Sequence, residues 1–234
     1  MIGVVSRLTA RTALVAACAL PGVAGCERHE IPAHVADPAR FLTGGERVFF
    51  DDFQRAELGP KWQLDRLTAE PAPATWRIVD GWVVNDDAKN QGIWAEIIPP
   101  GAANVRVEFL AKSEPLPGNR PFPGDLKCEA FGTGPRHESG YSFINGGWTN
   151  QFDTIAKKGE HSADDRRSAA RAVEPSRVYR YAAVRAGNDF YWYRDGELLY
   201  TFRDDSAAPG GWFALNNWLS NARYDEVAVY VLSP

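Results

Sequence analysis

One segment near the middle of the chain is dense in side chains that bind sugars. Tyr141 and Trp148 offer flat aromatic faces on which a pyranose ring can stack. Asn145, Asn150 and Gln151 offer amide groups that can donate to one sugar hydroxyl and accept from another. As a set these residues predict a carbohydrate-binding groove, although each aromatic residue taken alone fits a hydrophobic core equally well.

A strand with one charged face precedes this segment. Charged and apolar residues alternate over 124–130, so Asp125, Lys127 and Glu129 should share one face, opposite an apolar face that includes Cys128. If the apolar face points into a core, the charged face lines the groove. Cys128 is then expected to be a buried structural thiol rather than a nucleophile.

Cationic and aromatic residues nearby extend the candidate site. Arg136, His137 and His161 add groups that are cationic or become so near neutral pH. Trp218 adds a further aromatic face close to the end of the chain. With Lys127 and the residues above, these side chains make up the expected Trp/Asn/His-lined groove.

The first 26 residues have the pattern of a bacterial lipoprotein signal. Arg7 and Arg11 give a basic start, and the apolar run 13–20 is too short to span a bilayer. The sequence Val-Ala-Gly-Cys at 23–26 matches a lipobox, with Cys26 as the lipidated residue. An ordinary secretory signal is the alternative. Two or more acyl chains on Cys26 would anchor the protein stably in the bacterial cell envelope, outside the cytoplasm.

Removal of residues 1–25 leaves an acidic chain with one domain. Residues 26–45 contain Pro and Gly with little periodicity and predict a lipid-anchored tether, and 46–234 predict the folded domain. Two of the 26 basic residues leave with the signal, so 24 basic residues face 30 acidic ones and the net charge is −6. That balance argues against nucleic acid as a partner. The lone Cys128 excludes a disulfide framework and a cysteine-based zinc site.

Short strand-like runs separated by turn residues predict an all-β fold. The runs Asp189–Arg194 and 197–202 flank Asp195 and Gly196, a two-residue turn typical of a β-hairpin. The charged stretch 162–173 is the only helix-like segment, and we expect it to be an exposed loop between strands. The prediction is an antiparallel β-sandwich of the jelly-roll type with one charged loop insertion.

The two ends of the domain carry the most specific pattern. At the first end, the strand 48–53 ends in Asp-Asp-Phe and is followed by a Leu-Gly pair and Trp62. At the other end, the hairpin is followed by a Gly-led strand at 210–218 and a closing strand at 224–232. This layout resembles the concanavalin A-like jelly roll of laminin-G and glucanase domains, near bacterial 3-keto-disaccharide-hydrolase-like domains. The resemblance covers about residues 47–232 and implies a fold that handles carbohydrate as a lectin or as an enzyme.

The resemblance also implies a structural calcium ion. In similar jelly rolls, carboxylates near the first and last strands bind Ca²⁺ on the outer face, and Asp52 and Asp225 match those places. The alternative is that Asp52 caps a turn and Asp225 is a surface residue.

Catalysis is a second interpretation of the groove. Glycoside hydrolysis needs two carboxylates that flank one bond, and Glu129 would be the acid or base, with His161 beside it, only if the protein is an enzyme. The carboxylates here do not form the Glu-x-Asp-x-Glu run of the glucanases, and Tyr141, Arg136 and Gln151 do not have the spacing of polysaccharide lyases.

The sequence is therefore compatible with three functions. The first is a membrane-anchored lipoprotein that binds an oligosaccharide or polysaccharide without catalysis. The second is a carbohydrate-active enzyme, either a glycosidase of the 3-keto-disaccharide-hydrolase kind or a polysaccharide lyase. The third is an adhesion module that binds no glycan, which would present a flat apolar patch.

Overall fold

Most of the chain beyond the signal segment is described. The computed structural model describes residues 37–65, 75–86, 90–117, 122–161, 168–207 and 210–233. Cys26, the signal segment and residues 162–167 of the charged insertion lie outside these ranges. No helix within them is long and apolar enough to cross a membrane.

The described residues are almost entirely β-structure. In chain order the strands are β1 (Glu46–Asp51), β2 (Gln63–Leu64), β3 (Trp76–Val79), β4 (Trp82–Asn85), β5 (Ile93–Glu96), β6 (Asn104–Pro115), β7 (Leu126–Gly132), β8 (Tyr141–Gly146), β9 (Phe152–Lys157), β10 (Ser168–Ala169), β11 (Tyr179–Ala186), β12 (Asp189–Arg194), β13 (Glu197–Arg203), β14 (Trp212–Asn217) and β15 (Ser220–Val231). A 3-10 helix spans Pro38–Leu42, and one helical turn spans Gly147–Asn150.

These strands form two sheets that pack face to face. Within the described ranges the larger sheet has the order β13-β12-β11-β6-β15-β4-β3, and β1 also pairs with β15. The smaller sheet has the order β10-β9-β8-β7-β14-β5-β2. All of these pairings are antiparallel. The predicted antiparallel β-sandwich is confirmed.

The β12–β13 hairpin forms at the turn that the sequence predicts. Asp195 and Gly196 have φ angles of 51° and 80°, the left-handed values that a two-residue hairpin turn requires. Glycine adopts such a φ without a steric penalty, and aspartate tolerates it better than most residues. The turn therefore fixes the register of the two aromatic-rich strands.

Aromatic side chains from both sheets fill the core. Tyr181 and Trp192 stack with ring centroids 4.8 Å apart, and Phe109 lies 6.0 Å from Phe213 of the other sheet. Such pairs add about 0.5–1.5 kcal/mol each beyond the burial of their surface. Cys128 is fully buried among these residues, and burial raises the pKa of its thiol well above the ordinary value. The prediction of a structural thiol is confirmed.

The 3-10 helix Pro38–Leu42 packs against the outer face of the larger sheet. Phe41 lies 5.1 Å from the ring of Tyr191. The hydroxyl of Tyr193 donates to the first carbonyl of the helix at 2.8 Å, and Arg106 Nη1 donates to the carbonyl of Phe41 at 2.7 Å. The part of the predicted tether that the structure describes, 37–45, is therefore bound to the domain.

The described end of the charged insertion is not helical. Ser168–Ala169 forms the edge strand β10, which pairs with β9. Beyond it, the N–H of Arg171 donates to Asp153 at 2.9 Å, and Val173 is buried in the core. This part of the insertion is thus held against the smaller sheet. Burial of the apolar side chain of Val173 favours that position.

Candidate functional site

The charged face of β7 lies on the outer side of the smaller sheet. Lys127 and Glu129 alternate with the core residues Leu126 and Cys128, as predicted, but both charged side chains are 0% exposed. The expectation that they line an open groove is therefore wrong. Segments that connect the strands cover this face and supply the groups that neutralise its charges.

Glu129 is the centre of a hydrogen-bonded network on this face. Its Oε1 atom accepts from His137 Nδ1 and from Asn216 Nδ2, each at 2.7 Å. Its Oε2 atom accepts from the backbone N–H of Glu138 at 2.9 Å. Burial lowers the pKa of His137, but the hydrogen bond to Glu129 and its charge outweigh burial and raise that pKa above 6.5.

A buried ion pair continues the network on the other side of His137. Lys127 Nζ donates to Glu160 Oε1 at 2.5 Å, and that oxygen lies 3.9 Å from His137 Nε2. Burial raises the pKa of Asp125 to about 7; the charge of Lys127 opposes the rise, and that of Glu160 adds to it. Three carboxylates, one ammonium and one imidazole therefore share a small buried volume.

The turn after β8 holds a tryptophan beside this network in a strained conformation. Trp148, Thr149 and Asn150 have φ angles of 51°, 65° and 65°. Left-handed backbone costs roughly 1–2 kcal/mol for each residue with a side chain. The amide of Asn150 bonds both the N–H and the carbonyl of Val173, at 2.8 and 3.0 Å, and so fixes the turn. Strain maintained in this way is common at binding sites.

The strained turn brings Trp148 and His161 together, as predicted. Their rings meet edge to face, with centroids 5.7 Å apart and planes at 86°. Trp148 is half-buried and His161 is exposed. Gln151 is exposed at the end of the turn, where its Nε2 atom donates to Thr149 at 3.0 Å. We call Trp148, Gln151 and His161 the platform.

Three other predicted ligand-binding residues do not face outwards. Asn145 lies between the sheets at 0% exposure, bonded to Asp153 and to the hydroxyl of Tyr181. Tyr141 packs on the ring of Phe190 at 4.0 Å and is also buried. The amide of Asn150 is committed to the turn. Their assignment to the groove is corrected, because their polar atoms satisfy the protein itself.

The remaining predicted residues lie at different places around the platform. Lys127 is buried in its ion pair and does not reach a ligand. His137 is at the rim, with 22% of its side chain exposed. Arg136 is exposed on the loop before it. Trp218 is partly exposed with Phe122, near Thr149.

The two carboxylates of the predicted calcium site are neighbours. Burial raises the pKa of Asp225, and the nearby charges of Glu226, Asp52 and Asp51 raise it further. Asp52 accepts from the N–H of Gln54 at 3.2 Å, a local turn contact. Among the described residues, no group of three or more acidic, His or Cys side chains is arranged to hold a metal ion. Calcium here would need backbone oxygens as further ligands.

Sequence reasoning missed several members of the network. Asn216 donates to Glu129, and it is fixed further by Asn90 at 3.1 Å. Asp65 accepts from the N–H of His137 at 2.6 Å. These residues come from segments far apart in the chain, and only the pairing of β14 with β7 brings Asn216 opposite Lys127. A local sequence pattern carries no signal for such contacts.

No protein-family model matches the sequence, and no curated protein matches it. Solved structures do share the fold. Carbohydrate-binding module CBM66 from Bacillus subtilis is 15% identical, with a TM-score of 0.52, over 73% of this chain and 95% of that one. The Ca²⁺- and mannose-bound exoplasmic domain of VIP36 is 11% identical, with a TM-score of 0.53, over 75% and 85%.

A third similar structure is described with the endo-acting O-glycanases that human gut bacteria express to initiate mucin breakdown. It is 16% identical to this chain, with a TM-score of 0.53, over 80% of this chain and all of that one. At these identities the three structures establish a shared sandwich fold and leave the function to the site itself.

Proposed function

We propose that this protein is a glycan-binding lipoprotein of the bacterial envelope and that the platform holds the sugar. The observation that carries the proposal is the half-buried Trp148, held edge to face with His161 on a strained left-handed turn. A partly exposed indole with an imidazole and an amide nearby can stack on a sugar ring and bond its hydroxyls. Three consecutive left-handed residues, Trp148, Thr149 and Asn150, in the turn that presents this indole agree with a binding role.

Structures with a similar fold support the general proposal of glycan binding, but not the particular site. CBM66 is a carbohydrate-binding module, VIP36 is described bound to mannose, and the third protein is described with O-glycanases. Glycan handling thus recurs on this sandwich. Membrane anchoring of the present protein rests on the lipobox that ends at Cys26.

Binding without turnover accounts best for the buried network. Glu129 has three donors, and Glu160 is paired with Lys127, so neither carboxylate is directed at a ligand. A network saturated in this way stiffens the loops that surround the platform. The adhesion alternative requires a flat apolar patch, and the large exposed apolar side chains among the described residues form only small groups, Val48 with Phe50 on β1 and Phe122 with Trp218, besides Val178.

An enzyme is the second candidate, favoured by one specific feature. Glu129 and Glu160 lie on either side of the imidazole of His137, at 2.7 Å and 3.9 Å from its two nitrogens. Two carboxylates and a histidine can perform acid–base chemistry on a glycosidic bond. In this alternative the covering loops must open, because Glu129 is 0% exposed.

A calcium ion near Asp52 and Asp225 is a further part of the proposal. Burial and the like charges of Glu226, Asp52 and Asp51 raise the pKa of Asp225, and a divalent cation would relieve this repulsion. The ion would tie the segment after β1 to β15 and act as a structural support. VIP36 is described in a Ca²⁺-bound form of the same fold.

A glycan array tests the proposal as a whole. The protein is produced as residues 27–234, without the signal, and applied to the array. Each glycan that retains the protein is then incubated with it in solution, and chromatography shows whether the glycan is cleaved. Retention of particular glycans without cleavage is the expected result. Cleavage products would favour the enzyme, and no retained glycan on a broad array would reject glycan binding.

A further inference from the structure

A separate cavity of about 280 Å³, lined by none of the three platform residues, opens elsewhere on the smaller sheet. It lies where β8 begins and β9 ends, between the β7–β8 connection and the segment after β13. The residues that line it are Phe131, Thr133, Arg136, Glu138, Ser139, Gly140, Tyr141, Lys157, Lys158 and Ser206. Ligand pockets for drug-sized molecules measure about 300–1,000 Å³, so this cavity suits one small group rather than a long chain.

Three of the lining residues, Tyr141, Lys157 and Ser206, are bonded to an acidic residue that does not itself line the cavity. Asp204 accepts from the hydroxyl of Tyr141 at 2.5 Å and from the N–H and hydroxyl of Ser206 at 2.9 and 2.8 Å. It also forms an ion pair with Lys157. Burial raises the pKa of Asp204, but these bonds outweigh burial and hold it far below the ordinary value. The carboxylate of Asp204 therefore stays ionised and is paired with the ammonium group of Lys157.

The mouth of the cavity keeps two cations without such compensation. Arg136 and Lys158 both line it and are exposed, and neither pairs with an acidic side chain in the ranges that the structure describes. Glu138 is the carboxylate beside them, with 41% of its side chain exposed. At the mouth, two positive charges thus stand against one negative charge.

A third cation lies behind the wall. The guanidinium of Arg185 is 6.0 Å from the centre of the Phe131 ring, which lines the cavity. Arg185 is 5% exposed, and it donates to the carbonyl oxygens of Gly187 and Ala207 at 2.9 and 3.4 Å. The charge of Asp204 acts on Arg185 as well as on Lys157, so one carboxylate faces two cations on this side of the cavity. The cavity is therefore electropositive, although the domain as a whole is acidic.

We infer that this cavity is an anion subsite, and that the glycan carries an acidic substituent, either the carboxylate of a uronic acid residue or a sulfate ester. The inference rests on the proposed platform and names the class of sugar. The fork of Arg136 can bind a carboxylate or sulfate through two parallel bonds, and Lys158 supplies a point charge. Lys158 and His161 are three residues apart, within about 11 Å even if the chain is fully extended. Neighbouring residues of one glycan can therefore occupy the subsite and the platform together.

Three trisaccharides test this inference with the full chain in detergent. They are trigalacturonate, its carboxyl-reduced neutral form, and a sulfated form of the neutral sugar, and calorimetry measures each dissociation constant. We expect at least one acidic probe to bind about tenfold tighter than the neutral one, and this preference should weaken with added salt. In Arg136→Gln and Lys158→Gln the ratio of acidic to neutral affinity should fall towards one. Arg47→Gln removes an exposed charge from the other sheet and should preserve the ratio.

The outcomes separate the subsite from the platform. Preference for the uronate or for the sulfated probe identifies the anion. Equal affinity for acidic and neutral probes, or a preference that survives both substitutions, would overturn the anion subsite. Failure of both acidic probes to bind at millimolar concentration would overturn it as well. In each case the platform is judged separately, by whether Trp148→Ala weakens binding of an array ligand.

Discussion

The carboxylate of Glu129 and the imidazole of His137 meet at 2.7 Å on the covered outer face of the smaller sheet. They are eight positions apart in the chain, and the loop between them closes over the carboxylate. Because a buried charge is costly unless it is paired, this contact holds the loop that bears Arg136 and Glu138 in place. It connects the buried network to the rim of the site.

The Glu129–His137 pair should make stability depend on pH. The pKa of His137 is raised by Glu129, so the pair stabilises fully below the unfolded pKa of about 6.5 and less as pH rises through the folded pKa. His137→Gln should therefore cost about 1 kcal/mol more of unfolding free energy at pH 5.5 than at pH 8.5. Urea unfolding at the two pH values measures this difference.

A double-mutant cycle is the control for that measurement. Lys127, Glu160 and Glu138 also face the imidazole, and Asp125 titrates near pH 7, but all four are common to each pair of proteins compared. In a Glu129→Gln background, His137→Gln should no longer cost more at pH 5.5 than at pH 8.5, because burial then lowers the pKa of His137 without the opposing charge of Glu129. An equal cost at both pH values in the native background would contradict the assigned pair.

The docked segment before β1 should contribute to stability. Phe41→Ala removes a buried ring that packs on Tyr191, and burial of this kind is worth about 3 kcal/mol or more. Chemical denaturation of the two proteins gives the difference. Phe50→Ala, which removes a ring that is 45% exposed, is the matched control and should cost under about 1 kcal/mol. An unchanged unfolding free energy in Phe41→Ala would mean that the segment is a tether only.

Chelation should destabilise the domain if calcium binds at Asp52 and Asp225. A metal held at about 100 times its Kd adds about 2.7 kcal/mol, which corresponds to a Tm about 5–10 °C higher for a chain of this size. Asp225→Ala should abolish the effect of chelator on Tm, and Asp205→Ala, an exposed carboxylate elsewhere, should keep it. If the native protein melts at the same temperature with and without chelator, the predicted calcium site is wrong.

Lipidation should decide where the protein resides. Cys26→Ser should move it from the membrane fraction to the soluble fraction, because the acyl chains are its predicted anchor. Cys18→Ala, within the apolar run of the signal, should leave it in the membrane fraction. Mass spectrometry of the native N-terminus provides the direct check, and an N-terminal peptide without acyl mass on Cys26 would refute the lipoprotein assignment.

Local patterns predicted much of the fold and part of the site. The turn at Asp195 and Gly196 formed where its chemistry required, and Lys127 and Glu129 share a strand face as their alternation indicated. The same alternation could have placed Asn145 correctly. Tyr141, Phe143 and Asn145 occupy one face of β8, and that face is the core.

Contacts between distant segments could not be predicted in this way. Glu160 reaches Lys127 from the far end of β9, and Asn216 reaches Glu129 from β14. Whether a charged strand face is open or covered depends on the path of the loops, which have no periodic pattern. In the sequence, only the Gly146–Gly147 pair indicated an unusual backbone near Trp148. Gly146 indeed has a φ of 71°.

The most direct test of the account is the affinity of Trp148→Ala for a glycan retained on the array. Stacking of a sugar on an indole is comparable to an aromatic pair, about 0.5–1.5 kcal/mol beyond burial, so binding should weaken about tenfold. The control is Trp82→Ala, which removes a half-buried indole from β4 of the other sheet and should leave the affinity within about twofold. Calorimetry measures the affinities, and thermal melting confirms that both variants fold. Unchanged affinity in a folded Trp148→Ala protein would contradict the platform.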